Sequence, residues 1–345
     1  MDIRRRQTSG LPTTAATIFC MLLFGTAFTS PAGGDPGASD DTKKAVFFEE
    51  FAFAPGGTLM IDVDDMDIHI KAGSERGPAV EVYVRGRSGD DARDWLEKTH
   101  FEARLEGSTL VISNREPDHV NVVFTNWFRS VQARAVVYVP AQTDVSITTE
   151  DGDVRIGDLD GSARVHTEDG DLEFSTVRGA SIEIETEDGD IEAGSLEARD
   201  VGVTTEDGDL QIDAVRADRV RVISSDGDIS VSRIDGGRVS VETNDGDVDI
   251  AVSGERLEAR CSDGDMMIEL LTAMEVDIRS DDGDIDLRIP SGIGADIDLR
   301  GDHLAIRDIE VKGRVSDDAI EGSIGGGGPL IRAKVRDGSI RIHQD

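Results

Sequence analysis

The pentapeptide TEDGD occurs four times in this chain of 345 residues, at 149–153, 167–171, 186–190 and 205–209. Four variants continue the series: SSDGD at 224–228, TNDGD at 243–247, CSDGD at 261–265 and SDDGD at 280–284. The central glycines of these turns recur at a nearly constant interval of about 19 residues, which is typical of a solenoid. In such a fold each short unit buries its apolar face against its neighbours.

The residues around each glycine alternate between apolar and polar. In the second unit, Ala163, Val165 and Thr167 precede Gly170 at intervals of two, and Leu172 and Phe174 follow it. A period of two places these side chains on one face of a strand. Asp-Gly is a strong turn dipeptide because glycine tolerates a positive φ. The pattern predicts an all-β fold, a single-stranded β-solenoid (β-helix) with about 18–19 residues per coil.

Divergent units stand at both ends of the series. Residues 59–70, LMIDVDDMDIHI, have the alternation of a first coil with Met66 in place of glycine. Gly338 follows Gly283 after about three periods, which predicts two irregular coils between them. Residues 72–143 interrupt the repeat with strand-like segments and a short helix over 90–100. We expect this β-rich region to cap the N-terminal edge of the solenoid.

The first 32 residues have the pattern of a secretory signal peptide. Three arginines at 4–6 precede an apolar run, and small residues follow it. The alternative, an uncleaved membrane anchor, stays open. Residues 33–45 are predicted to be a flexible linker, 46–143 the first coil and capping region, and 144–345 the repeats with a closing coil. The mature protein is expected in the periplasm or the extracellular medium, without a transmembrane segment.

Negative charge is concentrated in the repeats. The whole chain has 71 acidic and 36 basic residues and a net charge of −35. Residues 144–290 contain 41 acidic residues, 13 arginines and no lysine, a net charge of −28. This acidity argues against nucleic-acid binding, which needs a basic face.

Two rows of aspartates account for much of this charge. The leading row precedes each glycine and consists of Asp151, Asp169, Asp188, Asp207, Asp226, Asp245, Asp263 and Asp282. The following row comes directly after each glycine and consists of Asp153, Asp171, Asp190, Asp209, Asp228, Asp247, Asp265 and Asp284. Both rows are candidate metal ligands.

Neighbouring carboxylates one coil apart, about 4.8 Å, repel each other by roughly 1 kcal/mol even in water. Two explanations compete for what offsets this repulsion. Ca²⁺ takes six to eight oxygen ligands, which two adjacent turns can supply. Alternatively, aspartate side chains accept hydrogen bonds from backbone N–H groups and need no metal. No other cofactor is predicted.

A second candidate site lies in the apolar segment HVNVVFTNWFRSV, residues 119–131. Phe124, Trp127 and Phe128 are candidate contacts for a partner or for a second copy of the chain. The alternative is that they pack on the solenoid's end as part of the cap. The partner expected is an envelope protein or a glycan, or a second copy in self-association.

The iterated strand–DGD–strand unit and the closing stretch IEGSIGGGGPLIRAKVRDGSIRI, residues 320–342, resemble the bacterial putative-adhesin family, a domain of unknown function. The resemblance extends from about residue 46 to 343. It implies a β-solenoid that is often exported or surface-associated. It supplies no catalytic residues to carry over.

Catalytic patterns are missing from the sequence. The six histidines are scattered without metal-ligand spacing, and neither a nucleophile elbow nor a phosphate loop occurs. Coils of even length give no uneven loops from which to build a substrate groove. The sequence therefore predicts an exported, non-catalytic solenoid, an adhesin-like or structural module of the bacterial cell envelope. A β-helical polysaccharide lyase or hydrolase and a self-assembling envelope scaffold stay open as alternatives.

Overall fold

A computed structural model describes residues 45–85, 89–114, 132–307 and 309–344. The N-terminal elements are β1 (Phe47–Glu50), β2 (Gly57–Asp62), β3 (Met66–Ala72), β4 (Ala79–Arg85), α1 (Gly89–Lys98), β5 (Glu102–Glu106), β6 (Thr109–Ser113) and β7 (Gln132–Val139). The predicted signal peptide and the proposed contacts Phe124, Trp127 and Phe128 lie outside the described residues. Within those residues, no helix is both long enough and apolar enough to span a membrane.

The repeat region continues with thirteen strands. They are β8 (Thr143–Thr148), β9 (Val154–Ile156), β10 (Ala163–His166), β11 (Leu172–Arg178), β12 (Ser181–Glu185), β13 (Ile191–Glu197), β14 (Asp200–Thr204), β15 (Leu210–Ile223), β16 (Ile229–Glu242), β17 (Val248–Cys261), β18 (Met266–Leu270), β19 (Glu275–Asp282) and β20 (Ile285–Ile289). The C-terminal strands are β21 (Ala295–Arg300), β22 (His303–Arg307), β23 (Lys312–Val315), β24 (Ala319–Ile324), β25 (Leu330–Asp337) and β26 (Ser339–Gln344).

The repeats form the predicted β-solenoid through parallel, in-register pairing of successive coils. In the first ladder, the strands that precede each DGD turn pair with one another, from β8 through β19. In the second ladder, the strands that follow each turn pair in the same way, from β9 through β20. Strands β15, β16 and β17 run from the second ladder into the first. Equivalent residues of consecutive coils therefore lie in straight columns.

The aliphatic columns predicted from the alternation form the core. In one coil, Leu210, Ile212, Val215, Val220 and Val222 are all at most 3% exposed. Burying one such side chain contributes about 1.5–3 kcal/mol relative to leaving it exposed. The same positions are buried in each of the other regular coils, so the interior is continuous along the stack.

The glycines of the turns form a column whose physical role differs from the one expected. From Gly152 to Gly264 none has a positive φ; only Gly283 and the equivalent Gly338 do, at 132° and 150°. A Cβ atom on any glycine of the column would lie 2.0–2.3 Å from the carbonyl oxygen of the preceding coil. Tolerance of a positive φ therefore does not explain the glycine in most of the turns. Glycine is needed there because the backbones of adjacent turns approach too closely for a side chain.

The N-terminal region covers the end of the solenoid, as predicted. The first coil, β2 and β3, stacks on β8 and β9 and is itself covered by β6 and β7, which come later in the chain. Antiparallel strands β5, β4 and β1 extend the two ladders outward. The predicted helix is α1, and it buries Ala92 and Trp95.

At the C-terminal end the order of coils differs from the expected one. The last repeat, β25 and β26, pairs directly with β19 and β20, and β21 and β22 lie beyond it. Strands β23 and β24 are not a coil but an antiparallel pair on β21. Gly325, Gly326 and Gly327 have φ of 57°, 98° and 87°, which lets the chain reverse sharply between β24 and β25.

Candidate functional site

The following row of aspartates is held by a ladder of hydrogen bonds. The Oδ1 atom of each of its eight aspartates accepts a hydrogen bond from a backbone N–H of the next coil, at 2.7–3.3 Å. Asp209, for example, accepts from Asp228 at 2.9 Å, and the last member, Asp284, accepts from Ser339. These hydrogen bonds correspond to the alternative to calcium given above, in which backbone N–H groups offset the carboxylate charge. The donor, however, lies in the next coil instead of the same turn.

The leading row has a different environment. Its backbone N–H groups form hydrogen bonds to the preceding coil; that of Asp207, for example, donates to the carbonyl oxygen of Glu187 at 3.0 Å. Its side chains point outward and are exposed along the whole row. Arginine does not offset the negative charge of these carboxylates within residues 144–290. Each turn can be taken as four residues, from two before its glycine to one after it, and none of the 13 arginines lies in any of these turns. Outside that range Arg336 pairs with Asp281 in the last regular turn, so the uncompensated acidic edge consists of the turns before it.

The pKa values of the two aspartates in the last regular turn are shifted in opposite directions. Desolvation, together with the charges of Asp337 and Asp263, raises the pKa of Asp282 in the leading row. Hydrogen bonding from Ser339, with a further contribution from Arg341, lowers the pKa of Asp284 in the following row. At neutral pH, ionised Asp282 therefore opposes folding, whereas ionised Asp284 supports it.

We expect Asp282→Asn to raise the melting temperature at neutral pH and low salt, and Asp284→Asn to lower it. The pKa of Asp282 is higher in the folded protein than its unfolded value of about 4. The free energy of unfolding therefore falls as the pH rises from about 4 through the folded pKa, and the gain from Asp282→Asn disappears below about pH 4. The contribution of Asp284 is present above its unfolded pKa and is lost as the pH falls through its lower folded value. Melting curves of the two variants against pH check both signs. Shifts in the same direction at neutral pH would contradict the opposite roles of these two carboxylates.

Metal coordination at the acidic edge has no preformed cluster to support it. Over the ranges that the structure describes, no group of three or more His, Cys, Asp or Glu residues is arranged to hold a metal ion. One oxygen of each carboxylate in the following row already accepts a backbone N–H. Calcium binding by the two rows stays a prediction from the sequence.

A second cluster of charge lies on the outer surface of the first ladder. Arg219, Arg238 and Arg256 are stacked in register on consecutive coils, so about 4.8 Å separates neighbouring backbones. Beside them, Arg221 lies in register between Gly202 and Ser240. A groove of about 470 Å³ opens between these side chains, and we call it the arginine groove.

The two ends of the arginine stack are neutralised. At one end, Asp200 accepts hydrogen bonds from the Nε atoms of Arg219 and Arg199, which lower the pKa of its carboxyl group. At the other end, Nη1 of Arg256 lies 2.8 Å from Oε1 of Glu275. The middle of the stack therefore differs in charge from its ends.

Arg221 and Arg238 keep their charges uncompensated. Both are exposed, and neither forms an ion pair or a side-chain hydrogen bond with the rest of the described chain. The arginine groove is thus a local positive site on a strongly negative protein.

The sequence contained the signal for this groove. Arg219, Arg238 and Arg256 each stand eight residues before a turn glycine, and Arg221 stands six before one. The inward positions and the DGD turns predicted the core and the aspartate rows, but the two outward columns that contain these arginines were missed. Indexing every outward position on the glycines finds the arginine stack.

Comparisons with known proteins give a family and two distant structural likenesses. A sequence profile of the family described as Toastrack DUF4097 matches residues 57–343. No curated protein matches the chain. The crystal structure of a putative adhesin from Bacteroides fragilis NCTC 9343 aligns with 88% of this chain and 98% of its own length, at 13% identity and a TM-score of 0.33. A putative cell adhesion protein from Clostridium sporogenes ATCC 15579 aligns with 87% and 98%, at 11% identity and a TM-score of 0.20. Neither likeness supports a functional argument.

Proposed function

This chain belongs to the Toastrack DUF4097 family, and from that premise we propose that it is an exported, non-catalytic β-solenoid that serves as an adhesin-like or structural module of the bacterial cell envelope. The observation that carries the proposal is the regularity of the coils. The eight DGD turns recur at a nearly constant interval, and their strands pair in register.

Regular coils favour display of side chains over catalysis. An active site needs several different groups that converge on one reacting atom, usually at the base of a cleft. In-register stacking instead arranges outward side chains in straight columns with one coil spacing between members. Such columns suit repeated contacts with an extended partner, either an envelope protein or a glycan.

Export is proposed from the first 32 residues, where three arginines, an apolar run and small residues follow one another. On this proposal residues 33–45 link the cleaved end to the solenoid. The uncompensated acidic edge fits a protein that stays dispersed through charge repulsion at an envelope surface or in the periplasm.

Fractionation of bacteria that express the full chain with a C-terminal tag tests export. We expect the protein in the periplasm, at the cell surface or in the medium, with mass spectrometry showing removal of about the first 32 residues. Full-length protein confined to the cytosol would overturn the proposal.

Two assays on the purified protein separate the alternatives. Released reducing or unsaturated sugars, after incubation with acidic and neutral polysaccharides, would overturn the non-catalytic proposal in favour of a lyase or hydrolase. Size-exclusion chromatography over a range of concentrations reports self-assembly. A mass that rises steadily with concentration would favour the envelope scaffold.

A further inference from the structure

We propose that the arginine groove binds a carboxylate-bearing saccharide, with Arg221 and Arg238 as the residues that hold its carboxylate. This inference rests on the proposed binding function and gives it a site and a ligand class. The groove is lined by the outward side chains of consecutive coils, from β12 to β17.

Charge points to an anionic ligand. A guanidinium group presents a planar fork of donors that matches a carboxylate in a two-bond arrangement. Asp200 and Glu275 already take this role for Arg219 and Arg256. Arg221 and Arg238 have no such partner in the part of the chain that the structure describes, so their donors face the groove and solvent.

The arrangement is unfavourable for the protein by itself. Like charges directly opposite each other on neighbouring strands destabilise a sheet, and Arg238 lies between Arg219 and Arg256 in the same column. In the neighbouring outward column, Arg164 instead pairs with Glu183 of the adjacent coil at 2.6 Å. A bound carboxylate supplies the missing negative charge in the middle of the arginine stack.

The lining of the groove favours a sugar acid over phosphate or a long polyanion. Glu183 and Glu258 line the same groove, as does Ser240. Carboxylates accept hydrogen bonds from sugar hydroxyls, and they repel the higher charge of phosphate more strongly than a single carboxylate. The net charge of −28 over residues 144–290 also repels an extended polyanion more strongly than a ligand with few charges.

The size and shape of the groove fit a small saccharide. Its volume of about 470 Å³ lies within the range of small-molecule sites, about 300–1,000 Å³. Gly202 forms part of its lining, and no atom lies within 4 Å of the place where a side chain would begin. That glycine leaves open the space beside Arg221, its in-register neighbour.

Isothermal titration calorimetry in about 0.1 M salt tests the proposal with trigalacturonate as the probe. Its methyl ester tests the carboxylate, and inorganic phosphate tests whether any anion suffices. The variants are Arg221→Gln and Arg238→Gln. The matched control is Arg155→Gln, which removes an exposed arginine paired with Glu173 at 2.7 Å on the second ladder and makes the same change in net charge.

We expect trigalacturonate to bind, and each groove variant to weaken it by about tenfold, as loss of a two-bond contact implies. We expect Arg155→Gln to change the affinity by less than about twofold, since surface charges beyond about 10 Å are largely screened. Melting curves of all three variants verify that they fold. Four results would overturn the proposal: absence of binding, equal binding of the methyl ester, phosphate binding as tight as that of the sugar acid, or equal weakening by the control. None of them bears on export or on catalysis, so the proposed function is judged separately.

Discussion

Replacing Gly208 with alanine is expected to lower the free energy of unfolding by about 3 kcal/mol or more. The new Cβ atom would lie 2.0 Å from the carbonyl oxygen of Gly189 in the preceding coil. Relief requires the two turns to separate by more than about 1 Å, since non-bonded heavy atoms normally stay about 3.5–4.0 Å apart.

Such a separation would lengthen several hydrogen bonds at once. The N–H of Asp207 donates to Glu187 at 3.0 Å, and that of Asp209 donates to Oδ1 of Asp190 at 2.9 Å. Both bonds join the coils on either side of the clash. The next coil fixes the same turn from its other side, because the N–H of Asp228 donates to Oδ1 of Asp209. The strain therefore cannot be absorbed by movement of a loop.

Gly202→Ala is the matched control for Gly208→Ala, because Gly202 lies on strand β14 shortly before the same turn and has open space at its Cβ position. We expect it to be neutral or to stabilise by up to about 1 kcal/mol, through loss of freedom in the unfolded chain. Urea denaturation of both variants measures the difference, and amide hydrogen exchange over 186–190 and 224–228 locates it. Equal stability of the two variants would contradict the close-approach explanation of the glycine column.

The glycine column also marks what the sequence could predict. The period placed every turn, and the alternation identified the buried columns, because both depend on residues that are adjacent in the chain. The reason for each glycine depends on the carbonyl of another coil. From the sequence alone, the short-range explanation, a positive φ, was available, and it holds only at Gly283 and Gly338.

The order of the terminal coils shows a second limit. The pairing of β25 with β19 places Asp337 beside Asp282, although strands β20 to β24 separate the two in the chain. Residues 295–307 lack a DGD turn, so periodicity alone could not place them outside the last repeat. Strand order at an end depends on which edge best covers the core, and that is a property of the assembled stack.

The arginine groove could be located from the sequence only in part. Indexing on the glycines brings Arg219, Arg238 and Arg256 into one column. Whether each arginine is paired depends on side chains in adjacent coils, as with Asp200 and Glu275. The central place of Arg238 in the column is readable from the sequence, but the absence of a partner for its guanidinium group among the described residues depends on the side-chain contacts of the folded protein.

Thr205→Val is expected to reduce the free energy of unfolding by about 1–3 kcal/mol, the cost of leaving a buried backbone donor without an acceptor. Thr205 is 1% exposed. Its Oγ1 atom accepts the N–H of Gly208 at 3.1 Å and donates to the carbonyl of Glu187 at 3.3 Å. Valine has a similar volume but can do neither, so the change tests the hydroxyl and leaves packing almost unaltered.

The chain itself supplies the control substitutions. Ser224 stands at the equivalent position and accepts the N–H of Gly227 at 2.9 Å. Cys261 stands there two coils later, with its Sγ atom 3.0 Å from the nitrogen of Gly264, and burial raises the pKa of its thiol. A neutral thiol and a serine hydroxyl both accept the glycine N–H, so the column needs an acceptor and not threonine itself.

We therefore expect Thr205→Ser to cost less than about 1 kcal/mol, the value of one buried methyl group. Thr205→Cys should fall between serine and valine, because sulfur is a weaker acceptor. Urea denaturation of the three variants gives the order. If valine is as stable as serine, the inward threonines act by packing and strand preference alone. If the order is serine, cysteine, valine, the buried hydroxyl joins the turn of one coil to the carbonyl of the previous coil. The same contact then links the turns of successive TEDGD units along the solenoid.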